Sequence, residues 1–526
     1  MKVPSSHSRR YRLAPLVAAL ALEIAVVVPV AAATPEDVRA LLRLADPIGT
    51  GRGVLARSAN LATEIAGRGI ATSKSGAPRR PATTLPVTSC TDDGGLGTLR
   101  HVVLTSVSGD TVDLSALTCG TITLQSGSIH VDVDDLTVQG PGAASLAIDG
   151  NAADRVFTHS GAGTLTIVGL TVTHGTYTAD KAWGGCLFSR GSLALTDAVV
   201  SGCSASGGTA AVGGGLAAYR DVSLMSSIIS GNTAAQTSAT PGQSAGAYGG
   251  GVVARYYLDV LFSTVSGNEA VATATNAYGG GAVAVGLTQV KYSTLADNTA
   301  ITSATTPGTY YGVGGGLDVV SGGALINNST IESNHADIAA GLVFSFGVAP
   351  QGTVKIKNST VSGNVARFEA GGAACGPDLT LSNSTIAFNE AGSYGGGGLV
   401  AAGDTLDLES SIIADNTPSG SQFPADLGVG LTTAISGANN LVKITDAAVP
   451  PDTINADPML GLLQDNGGAT RTHALLPGSP AIDTGNNVAG ADEDQRGAGF
   501  PRVVGAAADI GAFEVNFDVI FANGFD

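Results

Sequence analysis

Charged residues make up only 13% of this 526-residue chain and aromatic residues 5%, against 74 glycines. So small a supply of rings excludes a core built on aromatic packing and suits a solenoid with small side chains inside. Basic residues are scarce too: 26 Lys and Arg face 43 Asp and Glu, a formal charge of −17. Such an acidic surface disfavours nucleic acid and anionic membranes as partners. Beyond the N-terminus no apolar run is long enough to span a bilayer, so a transmembrane segment is not expected in the mature chain. Cysteine is limited to five residues, none with zinc-site spacing.

The N-terminus carries Lys2, Arg9, Arg10 and Arg12, then an apolar run from Leu13 to Val30 broken by Glu23, then Ala31-Ala32-Ala33. This reads as a secretory signal peptide over residues 1–33. Ser8-Arg9-Arg10 partly resembles a twin-arginine signal, but ordinary secretion fits the rest better. Removing the segment takes away four basic residues and one acidic one, leaving 22 against 42 and a charge of −20. Residues 34–85 differ in character from the rest of the chain. Val38, Leu41, Leu42 and Leu44 suggest a short helix, and the Arg/Pro/Ser-rich remainder a linker or a cover for the first coil.

From Gly213 to Asn416 the chain repeats one pattern seven times. Each unit opens on small residues, as at Gly213–Gly215, Gly249–Gly251, Ala339–Gly341 and Gly396–Gly398. Each then alternates small apolar and polar residues and ends on a Ser-led run closing in Asn: Asn232, Asn268, Asn298, Asn334, Asn364, Asn389 and Asn416. The third residue of the start lies 17 or 18 residues before the Asn in six units and 23 in the Gly341 unit. The segment from each Asn to the next start is free, at 4 to 16 residues. A repeat of this kind means stacked supersecondary units. Alternation such as Leu406 and Leu408 around Asp407 reads as strand, and two or three short strands per unit read as a coil of a parallel β-helix. Asn tolerates the left-handed bend, and stacked amides can bond along the axis, so the seven asparagines are expected in one structural ladder.

Short Gly-Gly-led units whose endings read x-x-x-x-N resemble the repeats of polymorphic outer membrane proteins and of secreted right-handed parallel β-helix proteins. The likeness covers about Cys90 to Asn416 and includes CTDDGGLGTLRHVV and GDTVDLSALTCGTITL as strand-rich first coils. After Asn416 the repeat stops. DPMLGLLQDNGGATRTHALLPGSPAIDTGN, then Asp494–Gly497 (DQRG) and Asp509–Glu514 (DIGAFE), resemble the choice-of-anchor region of secreted bacterial proteins. The division expected is signal peptide 1–33, helix, linker or cap 34–85, β-helix 86–425, C-terminal cap 426–515 and tail 516–526.

In an exported chain cysteines tend to pair. Cys90 and Cys119 bracket the first coil, while Cys186 and Cys203 occupy the glycine-start and Asn positions of another. Disulfides Cys90–Cys119 and Cys186–Cys203 are therefore expected, with Cys375 left over.

Enzymes occur on β-helices, so the rival reading is a polysaccharide lyase of pectate-lyase type. A lyase needs carboxylates around a cation and a nearby base. Here Asp221, Asp259, Asp297, Asp318, Asp404, Asp407 and Asp415 share no coil position. No catalytic residue and no cofactor is assigned. Asp492, Glu493 and Asp494 form a weak Ca²⁺ candidate, better read as an uncommitted surface loop. His174 and His335 read as surface histidines.

Tyr248, Tyr256, Tyr257, Tyr278, Tyr310 and Tyr311 cluster near the longest variable loops, 233–248, 269–278 and 299–313. They are either an aromatic stack stiffening the solenoid or a contact strip. The sequence thus points to a monomeric, adhesin-like protein, secreted or at the cell surface, that binds a glycan or a protein and is not primarily an enzyme.

Overall fold

The computed structural model describes residues 81–239, 245–303, 311–344, 353–392, 395–418, 424–430, 432–488 and 490–516. Residues 1–33, expected as a signal peptide, nearly all of 34–85 and the tail from 517 lie outside these residues.

The chain winds into a parallel β-helix. Most coils contribute to four faces, not the two or three strands expected, and the faces grow into sheets of 13, 12, 12 and 11 strands. One coil shows the plan. Val222–Met225 lies on the first face, Ile228–Ser230 on the second and Val252–Ala254 on the fourth. The third face holds Thr233–Gln236 and Gly246–Tyr248, two pieces with residues 237–245 between them in the chain. The extra strands come from the segment after each Asn and from the three residues following the glycine start. Both are too short for periodicity to reveal.

Each strand pairs in register with its counterpart one coil on, as Val222, Ser223, Leu224 and Met225 do with Leu258, Asp259, Val260 and Leu261. Alternation therefore stacks like on like. Val222, Leu224, Ile229 and Val252 all point into one continuous core. The third face has a separate core of alanines, including Ala247, Ala270, Ala277 and Ala300.

The fixed spacing from start to Asn has a steric cause. A Cβ on Gly251 would lie 2.7 Å from the Gly281 carbonyl oxygen and 3.0 Å from Cγ of Asn268. The third start residue packs directly on the Asn of its own coil, so neither can slip.

The stretch LRHVV is helical, contrary to the strand expected. Leu99–Thr105 forms an α-helix with Thr98 as N-cap, its hydroxyl accepting from the His101 amide at 3.3 Å. Leu99, Val102 and Val103 recur at helical spacing and are buried in the solenoid core. The helix packs against the early strands and covers apolar side chains there.

Residues 457–516 lie along the flank of the solenoid rather than across its end. Leu460–Gln464 and Thr472–Leu475 form an antiparallel hairpin, and the remainder is irregular. The segment covers the outer side of the second face, where Ile412 and Ala414 pack with Leu475, Ala481 and Ile510.

Candidate functional site

The seven asparagines are buried and joined head to tail. Asn232 Nδ2 donates to Asn268 Oδ1 at 2.9 Å, Asn268 to Asn298 at 3.0 Å and Asn298 to Asn334 at 3.0 Å. The chain continues through Asn364, Asn389 and Asn416. Cys203 donates its amide into the first amide oxygen, and Asp426, which needs only to accept, receives the last donor at 2.9 Å. A second ladder runs parallel at the bend before the second face. The Ser227 amide donates to Ser263 Oγ at 3.0 Å, and Ser293, Ser329, Ser359, Ser384 and Ser411 extend the series to Asn440. The recurring Ser at the head of each ending carries this signal in the sequence.

Cys90 pairs with Cys119 and Cys186 with Cys203, while Cys375 is free and buried.

The candidate tyrosines fall in two places. Tyr248 and Tyr278 stand at the ends of third-face strands with rings stacked 5.3 Å apart, 8° from parallel. Burial pushes the Tyr248 hydroxyl up to about 12. Tyr311, in the next coil, meets Phe368 edge-on. Tyr256 lies between the fourth and first faces, exposed beside Arg255, and Tyr257 opens the first-face strand Tyr257–Leu261 and donates to Gln289 Oε1 at 3.1 Å. Tyr310 is outside the described residues.

Behind Tyr248 and Tyr278 runs an apolar seam. Register places Val313, Ile338 and Glu369 in the same column at the end of the third face. The facing column, in the middle of the fourth face, runs through Val253, Val283, Asp318 and Val343. Asp318 and Glu369 are 2% and 1% exposed, and each has an oxygen with no hydrogen-bond partner among the described residues. Burial pushes both carboxyls up to about 7. In an unfolded chain they ionise near pH 4, so between about pH 4 and pH 7 the folded protein holds more protons, and stability falls as pH rises through that window. Asp318→Asn should therefore raise the melting temperature at about pH 8 and leave it unchanged at about pH 4. A melting difference independent of pH would overturn this reading of the seam.

The acidic triplet is not an uncommitted loop. Asp494 is fully buried and holds Arg496, whose Nη2 is 2.6 Å from Oδ2, leaving Asp492 and Glu493 at the surface. Among the described residues no three His, Cys, Asp or Glu side chains gather as a metal site. His174 is exposed, 3.0 Å from Asp149, and His335 opens a third-face strand.

The bend between the first and second faces carries contacts that the sequence does not reveal. Asn328, Asn358 and Asn383 sit there in left-handed backbone, at φ of 48°, 42° and 46°. Their side-chain amides donate outward to the C-terminal segment: Asn328 to the Asp494 carbonyl at 2.8 Å, Asn358 to that of Glu493 at 3.1 Å and Asn383 to that of Asn486 at 3.3 Å. Thr330 and Thr360, next along, bond Arg471 and Gln495. The Asn-Ser-Thr runs that begin at Asn328, Asn358 and Asn383 thus form a docking rail. Beside the rail, solenoid and C-terminal segment leave a groove of about 440 Å³.

No family model matches the chain, and no curated protein matches it. A solved structure titled "Crystal structure of pectate lyase Pel9A" aligns with 83% of this chain and 98% of that one, at 13% identity and a TM-score of 0.40. The chain is a parallel β-solenoid protein with two disulfides.

Proposed function

We propose that this protein is exported and acts at the cell surface or outside the cell by binding, through its third face, a glycan or protein partner. The observation that carries this reading is where the solenoid spends its extra sequence. In three successive coils the third-face strand breaks after Gln236, Ala272 and Thr302 and resumes at Gly246, Ala277 and Gly312, while the first and second faces keep unbroken register. Insertions on a rigid scaffold are the usual carriers of recognition. Tyr248, Tyr278 and Tyr311 border these inserted segments in the chain and offer rigid, partly polar area at little entropic cost. Tyr256 and Tyr257 belong to a neighbouring edge and would extend the surface. Two disulfides suit an oxidising compartment, in keeping with a signal peptide at residues 1–33.

The test is to shorten all three inserted segments to the length of the continuous strand His335–Ile338. Thermal unfolding should change little, while binding to cell-wall preparations and to a glycan array should be lost. Unchanged binding by the shortened protein would move the contact surface elsewhere.

A further inference from the structure

The groove beside the docking rail carries charge of both signs, one on each wall. Lys357 stands on the solenoid wall, and Asp492 and Glu493 stand on the C-terminal wall. None of these three side chains makes an ion pair or a hydrogen bond among the described residues. Pairing is open to the C-terminal segment, since its Asp494 and Glu514 are each matched to an arginine. The three groove charges go without it.

Register puts Lys357 and Ser382 in one column at the end of the first face, about 4.8 Å apart along the axis. Ser382 is 2% exposed, and its hydroxyl has no hydrogen-bond partner among the described residues. A buried hydroxyl without a partner is costly, so an acceptor placed beside it is stabilising. Along the rail, Asn328 and Asn358 give their Nδ2 atoms to the Asp494 and Glu493 carbonyls, at 2.8 and 3.1 Å. Their Oδ1 atoms accept nothing among the described residues and remain open to an N–H donor. The same two bonds fix the walls to each other, so the site is preformed. A divalent cation would meet the Lys357 ammonium, and an anion would meet two carboxylates. A ligand with an ammonium at one end, a carboxylate at the other and N–H groups between matches both walls and the rail.

We infer that the groove binds a short zwitterionic peptide. Its carboxylate meets Lys357 and the Ser382 hydroxyl, its ammonium meets Asp492 and Glu493, and its amides meet the Asn328 and Asn358 side chains. A volume of about 440 Å³ is ordinary for a small-ligand site. The inference uses no residue of the third face and stands or falls apart from that surface.

The full chain should be titrated calorimetrically with glycine and with di- to pentaglycine, which vary the span between the two charges and carry no side chain. At least one member should bind with a Kd below about 10 mM. N-acetylation or C-terminal amidation of that member should each weaken binding about tenfold or more. Lys357→Met should weaken the free peptide by a similar factor and leave the amidated one binding as it does to the parent. Glu493→Gln with Asp492→Asn should weaken the free peptide and leave the N-acetylated one unchanged. Because none of these side chains is paired, the melting temperatures of both variants should stay close to the parent's. The protein with shortened third-face segments should bind as the parent does. No binding of any member at about 10 mM would overturn the inference. So would blocked peptides that bind as tightly as free ones, or unchanged binding in Lys357→Met. Calcium chloride or inorganic phosphate binding more tightly than every peptide would overturn it too, as a site for one sign of charge.

Discussion

Asn298→Ala is expected to destabilise the solenoid by about 3–6 kcal/mol. The size of the effect comes from what one rung does. Asn298 Nδ2 donates to the Val265 carbonyl at 2.9 Å and to Asn334 Oδ1 at 3.0 Å, while its Oδ1 accepts from the Asn268 amide at 3.1 Å and from Asn268 Nδ2 at 3.0 Å. Alanine leaves the Val265 carbonyl and two Asn268 donors unpaired where water does not reach, each costing about 1–3 kcal/mol. A solenoid is coupled mainly between neighbours, so the defect should also divide it. Hydrogen exchange should speed up most in the coils around Asn268 and Asn334 and least near the N-terminal disulfides. A loss below about 1 kcal/mol would mean that stacked strands alone hold the coils and the amides add little.

How much of the molecule is legible in its sequence depends on the range of each interaction. Within a coil, sequence and structure speak the same language: the third start residue touches the Asn of its own coil, so their spacing is written into the repeat. The same holds for Cys186 and Cys203, which replace the two marker positions and bridge them. The serine ladder recurs just as regularly, yet Ser at a turn has a simpler local explanation that hides it. The helix Leu99–Thr105 passes for strand because seven residues of apolar and polar alternation fit both periods; only the Thr98 cap and the 99, 102, 103 spacing favour the helix. The docking rail is beyond reach for a different reason. Asn328 bonds a carbonyl 166 residues away, and nothing local tells an Asn that merely bends the chain from one that also holds a distant segment. The groove inherits that limit, since one of its walls comes from each partner of the docking.

Arg502→Met should release the C-terminal segment while leaving the solenoid folded, at a cost of about 3–5 kcal/mol. Arg502 and Glu514 are fully buried, with Nη2 2.7 Å from Oε2. Arg502 also donates to the carbonyls of Gly511 at 2.8 Å and Asp509 at 3.1 Å, and Glu514 accepts the amides of Val504 at 2.7 Å and Asp509 at 2.8 Å. The second pair, Arg496 with Asp494, packs between the rings of Phe500 and Phe513, 4.0 and 3.9 Å from the guanidinium carbon. Here ion pairs stand in for the strand stacking that this irregular segment lacks. Methionine at position 502 fills part of the volume but strands the Glu514 carboxylate in a place without water, and that isolated charge is the larger part of the cost. Removing both charges together, as Arg502→Met with Glu514→Gln, should therefore be milder than Arg502→Met alone. The measurement is limited proteolysis with hydrogen exchange. In Arg502→Met, residues 457–516 should become cleavable and Asn328, Asn358 and Asn383 should lose protection, while the amides of the Asn232 to Asn298 rungs stay protected. Full protection of the segment in Arg502→Met would mean that the asparagine rail, not the buried pair, holds it in place.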